Sequence, residues 1–408
     1  MEVVYGRCCG IDVHKKEIVA CLIVGQRERV TKAYGTTTQA LHELVDWLKA
    51  EKCEIVAMES TGSYWKPLYN VFELEGMEAL VVNASHMKTL PGRKTDIKDA
   101  EWIADLLRHG LLKASFIPDK GAREYRELTR YRSSRMEERA REINRLQKML
   151  EGANIKISNE VSSIMGKSAQ ELIRLAISNE ELTDEQITEA THGRLTATVS
   201  QLKESLRGII SPLQRELFTE VLRIIEEQTR QIERIEAMIR KYTTESYDKA
   251  ATAIEELPGI GRTSAEQIIS EIGTDMSRFP TAHHLCAWGG VSPGDNESAG
   301  KRKSGKTRQG NKALKKTLVV SANAAIRNKD TFFYAQYQRL VVRKGRKKAI
   351  MAVAHSMLIA IYHVLEGNKF RDLGSDYYTQ FNREKKINSL LKQLQKLNWN
   401  PNCPVAAV

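Results

Sequence analysis

Six cysteines, Cys8, Cys9, Cys21, Cys53, Cys286 and Cys403, are scattered through 408 residues with no CxxC spacing and no histidine at zinc-finger distance. This argues against a structural zinc site and a disulfide framework, and fits a reducing compartment. The chain opens without a basic segment running into an apolar leader, and no apolar run approaches the roughly 18 residues that cross a bilayer. The expectation is a cytoplasmic chain with no membrane partner. Proline is almost missing from Arg123 to Thr244, and acids are almost missing from Ser298 to Lys348. Each gap marks off a region.

The composition that remains is that of a folded protein: 41% of residues are hydrophobic, and the formal charge is +12. A basic surface gains affinity for phosphates by Coulomb attraction and counterion release. The charge is localised. Ser298 to Lys348 holds sixteen Lys and Arg against the single acid Asp330, which leaves the rest of the chain near −3. Such a block reads as a binding surface, where evenly mixed charge would read only as a solvated exterior.

Organisation follows from periodicity. Cys8 to Val13 and Ile18 to Val24 are apolar runs split by His14-Lys15-Lys16, a hairpin pattern, with a third strand over Thr31 to Tyr34. Leu41, Leu44, Val45 and Leu48 predict a helix, Glu54 to Met58 a buried strand, Trp65 to Leu74 a helix, Ala79 to Val82 a strand and Asp96 to Leu107 a helix. A hairpin followed by alternating strands and helices predicts a mixed-sheet α/β domain over residues 1–118. Residues 119–248 read as long helices, plausibly a coiled coil, on repeats such as Leu213, Leu217, Val221, Ile225 and Ile232, Ile235, Met238, Ile239. Their bland reading is a spacer or dimerisation arm. Residues 249–380 read as a mainly helical domain, with helices over Ser264 to Ile272, Lys312 to Arg327 and Lys347 to Leu365, and 381–408 as a peripheral tail. His355 and His363 on the last of those helices read as structural residues.

Two carboxylates end predicted strands: Asp12 in Gly10-Ile11-Asp12-Val13-His14-Lys15, and Glu59 in Met58-Glu59-Ser60-Thr61-Gly62. Asp96 and Asp99 stand three residues apart at the start of a helix, on one face. Taken alone, that pair reads first as helix capping, and either strand-end acid as an exposed residue. Together in one α/β domain, the four form an oxygen-donor set of the kind that holds paired magnesium ions for phosphodiester chemistry.

The phrases Gly-Ile-Asp-Val-His-Lys, Met-Glu-Ser-Thr-Gly and Lys-Thr-Asp-Ile-Lys-Asp-Ala resemble the N-terminal domain of the DEDD insertion-sequence transposases, the family that includes the Piv-type DNA invertase. The resemblance implies a ribonuclease-H-like, RuvC-like fold in which Asp12, Glu59, Asp96 and Asp99 bind magnesium, with manganese as a substitute. Farther on, Leu257-Pro258-Gly259-Ile260-Gly261, Trp288-Gly289-Gly290-Val291-Ser292-Pro293 and Glu297-Ser298-Ala299-Gly300 resemble the family's C-terminal domain, whose nucleophile is a serine. Ser298 matches that position, and Ser304-Gly305 is a second candidate. A serine hydroxyl is a weak nucleophile until activated, and attack on phosphate builds charge that Lys, Arg or metal must offset.

Lys301, Arg302, Lys303, Lys306, Arg308, Lys312, Lys315 and Lys316 form the expected nucleic-acid clamp. Gly259 and Gly261 sit in a helix-hairpin-helix-like turn whose amides can meet phosphate, although Gly and Pro mark ordinary turns as well. The resemblance further implies DNA strand exchange at insertion-sequence ends and target, a non-coding bridge RNA, a dimer or tetramer in which acids and serine meet, and a place at the bacterial nucleoid. Two other readings remain open: a metal-only nuclease of Holliday-junction type, and a non-catalytic nucleic-acid-binding protein. An actin-like ATPase is disfavoured, because His14-Lys15-Lys16 stands where a glycine-rich phosphate loop would be.

Overall fold

The strands β1 (Arg7–Val13) and β2 (Glu17–Val24) pair antiparallel around the His14-Lys15-Lys16 turn, and β3 (Glu28–Gly35) adds antiparallel to β2. On the other side of β1, β4 (Ile55–Glu59) and β5 (Ala79–Val82) add in parallel, giving the order β3-β2-β1-β4-β5. The computed structural model describes residues 2–25, 28–60, 62–83, 96–179, 181–191, 195–294, 296–298, 301–304, 306–381 and 383–397. It divides into two units, Met1–Lys120 and Gly121–Val408.

In the first unit, strand alternation decides which helix meets which face. Cys9, Ile11 and Val13 point to α1 (Thr38–Ala50) and α2 (Trp65–Leu74), packing with Leu44, Leu48, Leu68 and Phe72. Cys8 and its neighbours Ile55 and Ala57 point the other way, to Ala100, Ile103, Ala104 and Leu107 of α3 (Asp96–Arg108). The period of two along a strand produces both cores from one sequence. The predicted mixed α/β sheet is present, with every predicted element in place.

The second unit departs further from expectation. Two long helices, α4 (Lys120–Gly152) and α8 (Pro212–Ser246), run antiparallel, since Tyr125 bonds Thr243 at 2.6 Å and Arg139 reaches Thr229 at 3.2 Å. Between them the chain forms a separate helical core from α5 (Lys167–Ser178), α6 (Asp184–Ala190) and α7 (Val199–Leu206), with Leu172, Ile173, Ile187 and Leu202 packed on Leu150, Phe218 and Leu222. The expectation of long helices alone is corrected by these short ones, of which α6 and α7 carry their own caps at Thr183 and Thr198. Of the predicted stripe, Val221, Ile225, Ile232, Ile235 and Ile239 are buried, whereas Leu213, Leu217 and Met238 are exposed and Phe218 and Leu222, outside it, are buried.

The remainder is helical: α9 (Asp248–Glu255), α10 (Arg262–Ile272), α11 (Ala282–Trp288), a hairpin of β6 (Asn296–Ser298) and β7 (Lys301–Ser304), then α12 (Lys312–Ala325), α13 (Phe332–Lys344), α14 (Arg346–Leu365), α15 (Tyr377–Phe381) and α16 (Arg383–Lys396). The hairpin and α13 were not expected. Only Phe333 of α13 is buried, so its apolar spacing carries a weak signal. The tail holds a helix, α16, with Ile387, Leu390 and Leu391 exposed. One described helix, α14, is long and apolar enough to cross a membrane by length and composition, which corrects the expectation that no run is. It packs against α9, α11, α12 and α13 through Val353, Met357, Leu358 and Ile361.

Candidate functional site

Gly10 sets the geometry of the acidic site. A Cβ there would lie 2.2 Å from Ala104 N and 2.3 Å from Ala100 O, so the missing side chain lets α3 lie directly on β1. Alternation puts Asp12 on the same face as Gly10, and Glu59 on the same face as Ala57. Parallel pairing places Ile11 beside Met58, so one residue further on Asp12 and Glu59 reach the carboxyl ends of adjacent strands together. Asp99 precedes Ala100 on the helix that Gly10 admits.

Electrostatics register this convergence. Asp12 is 7% exposed, and burial raises its pKa above the ordinary carboxylate value. The charges of Asp99 and Glu59 raise it further, while His14, whose Nε2 lies 2.9 Å from Asp12 Oδ2, pulls it down. Among the described side chains, no group of three or more acids, histidines or cysteines is close enough to hold a metal ion. Asp96 starts α3, but its side chain lies outside the described residues. The carboxylates whose charges reach Asp12 offer hard oxygen atoms, the donor type that a divalent cation such as magnesium takes.

In the second unit, Ser298 pairs with Lys301 beside the hairpin turn, and Ser304 pairs with Asn296 at the other end. The side chains of Ser298, Lys301, Arg302, Lys303 and Ser304 lie outside the described residues. Lys306 and Arg308 are exposed on the ribbon below the hairpin, where Gly294 N donates to Lys306 O at 2.9 Å. Lys315 donates to Thr307 Oγ1 at 2.6 Å, and Lys316 pairs with Glu137. Lys312 and Lys316 line a groove of about 540 Å³ between α4, α10 and α12. Gly261 is open, whereas Gly259 backs onto Ser321 and Ala325 of α12, where a Cβ would come within 2.4 Å of Ser321 O. His355 stacks on His283, and His363 lies 2.9 Å from Glu366.

Sequence reasoning left out Gly10, although a glycine inside a strand is a signal of close approach. It also left out a network of buried charge on α4 and α10. Arg132, 2% exposed, donates to Glu266 at 2.7 Å, and Arg130 grips the fully buried Glu271 through both oxygens at 2.7 and 2.8 Å. They sit among the other charged residues of their helices, Arg130 and Arg132 two apart and Glu266 and Glu271 five apart, so no local signal marks them.

Residues 9–155 match a family model described as Transposase, for the DEDD type of the IS110 elements, and residues 251–338 match one described as Transposase IS116/IS110/IS902 family. An uncharacterized 43.6 kDa protein of insertion element IS110 from Streptomyces coelicolor is 30% identical over 117 residues, 28% of each chain. A putative transposase from Sinorhizobium fredii is 28% identical over 130 residues, 30% of this chain and 33% of its own. The matches thus span about a third or less of these relatives. The RuvC structure from Thermus thermophilus aligns at 14% identity and a TM-score of 0.21, covering 27% of this chain and 99% of that one.

Proposed function

We propose that this chain is a transposase of the IS110 family, whose two domain models it matches, and that it cuts and rejoins DNA at insertion-sequence ends and targets. The observation that supports the reading is the placing of Asp12 and Glu59 at the carboxyl ends of adjacent strands, beside the helix that carries Asp99 and that Gly10 admits. Asp12, Glu59 and Asp99, joined by Asp96, would hold magnesium. Bound there, the metal supplies charge stabilisation for the oxygens of a phosphodiester exchange. His14, paired with Asp12, orients that carboxylate at the mouth of the strand ends.

The hairpin supplies the nucleophile. Ser298 gives up its hydroxyl proton as Oγ bonds to phosphorus and the bond to the departing strand breaks, and the freed strand oxygen takes up a proton to become a hydroxyl. Reverse attack by a strand hydroxyl restores the phosphodiester and the serine, so bond energy is kept. Lys301, Arg302, Lys303, Lys306 and Arg308 follow Ser298 in the chain, where their charge offsets that of the phosphate. Lys312, Lys315, Lys316 and the Gly261 turn hold the backbone of DNA, or of a guide RNA from the element, without reading bases. The arm of α4 and α8 serves a dimer or tetramer in the cytoplasm.

The test incubates the protein with magnesium, element DNA and candidate RNA, and looks for joined products and serine-linked DNA. Ser298→Ala is expected to abolish both. Cleavage persisting in that variant would identify a metal-only nuclease, and joining that survives Asp12→Ala would remove the acids from the chemistry.

A further inference from the structure

Glu271, at the end of α10, is fully buried and held by three residues from two other segments. Besides the paired bonds from Arg130, it lies 3.3 Å from Arg126 Nε and accepts from Asn311 Nδ2 at 2.6 Å. Asn311 caps α12 by accepting from Leu314 N at 3.0 Å, and its backbone N–H donates to Trp288 O at 3.2 Å. Asn311 is therefore where the two legs of the ribbon below the hairpin come together. From there Arg308 N bonds Ser292 O at 3.2 Å, Pro293 bridges Thr307, and β6 pairs with β7. Gly290 and Gly310 cross so closely that a Cβ on Gly310 would lie 2.4 Å from Gly290 N.

We propose that Glu271 and Asn311 are positioning residues for the hairpin that carries Ser298, an inference that rests on the serine reading above. The stretches 289–292 and 308–310 contain one apolar residue, Val291, so apolar packing does little to aim the ribbon. Directional bonds must do it. A buried ion pair is a poor device for stability alone, because desolvation offsets most of its Coulomb gain, but it accepts only one geometry. Arg126 and Arg130 on α4 hold Glu271, Glu271 holds Asn311, and Asn311 sets where the ribbon leaves the helices.

Two variants of the full chain separate positioning from folding. Asn311→Ser keeps a side chain that caps α12 and removes the bridge to Glu271. Glu271→Gln keeps the shape and removes the charge. Each is measured by thermal melting, DNA binding, hydrogen exchange at the Gly294 and Arg308 amides, and single-turnover joining with magnesium. Asn311→Ser is expected to melt with the wild type and bind DNA equally. Its Gly294 and Arg308 amides exchange roughly tenfold faster, and joining slows between about tenfold and a hundredfold with KM for DNA unchanged. Unchanged exchange in both variants overturns the proposal whatever the chemistry does, as does full-speed joining by the variants when the wild type links DNA to serine. Wild-type joining without a serine link overturns the serine reading instead, and the exchange result still decides the anchoring.

Discussion

Asp12 and Glu271 are carboxylates withdrawn from water in the two units of the chain, at 7% and 0% exposure, and their surroundings have opposite sign. Around Asp12 stand Asp99 and Glu59, with His14 as counterweight. Around Glu271 stand Arg126, Arg130 and the amide of Asn311. Withdrawing a carboxylate from water costs several kcal/mol unless positive charge and hydrogen bonds replace the solvent. In the second unit the protein supplies that compensation itself, and the result is a structural joint. In the first it sets like charges near one another, and under the proposed function a cation from solution would supply the compensation. The difference teaches that a buried acid is read by its neighbours and not by its burial.

The most severe break in this contrast is Asp12→Ala, which is expected to lower strand joining roughly ten-thousandfold, an activation cost of about 5 kcal/mol. The melting temperature should stay level or rise, since a repelled carboxylate is removed. A joining assay beside a thermal melt checks both, and a protein that unfolds instead would make Asp12 a structural acid like Glu271.

Glu266→Ala should do the reverse. It strands Arg132, 2% exposed, without its carboxylate, and the loss expected in denaturant unfolding is about 3 kcal/mol or more. A loss under about 1 kcal/mol, the value of a surface pair, would erase the distinction between the two sets.

Gly10→Ala tests how the acids are brought together. The added methyl meets the backbone of Ala100 and Ala104, so α3 must lift at a cost of about 1–3 kcal/mol. Magnesium affinity, measured by titration calorimetry, should fall with it because Asp99 moves away from Asp12. Affinity equal to wild type would show that the α3 contact does not set the site.

The gentlest test is magnesium itself. At about ten times its Kd it should stabilise the wild type by about 1.4 kcal/mol and leave Asp12→Asn unmoved, read as a shift in melting temperature. A shift of equal size in both would place the ion elsewhere.

Strands and helices of the first unit were legible because burial there follows local patterns: short continuous apolar runs in β1 and β2, and the spacing of Leu41, Leu44, Val45 and Leu48 in α1. The second unit was less so. Leu213 and Leu217 keep a helical repeat yet face solvent, because their neighbours Phe218 and Leu222 meet α5 and α7. The hairpin of Asn296 to Ser304 is built from polar and basic residues, without the alternating apolar residues that announce a strand.

By itself the sequence determined the kinds of chemistry available: acids at strand ends, a serine before a basic run, and glycine inside β1, since residue type and short-range periodicity are local properties. Tertiary structure alone decided which charges share a space. Asp12 feels the charge of Asp99 on the helix that Gly10 admits, and Glu271 meets Arg130 and Asn311 because α4, α10 and α12 pack together. Those partners lie tens to more than a hundred residues apart, and interaction energy depends on distance in space, which no local pattern records.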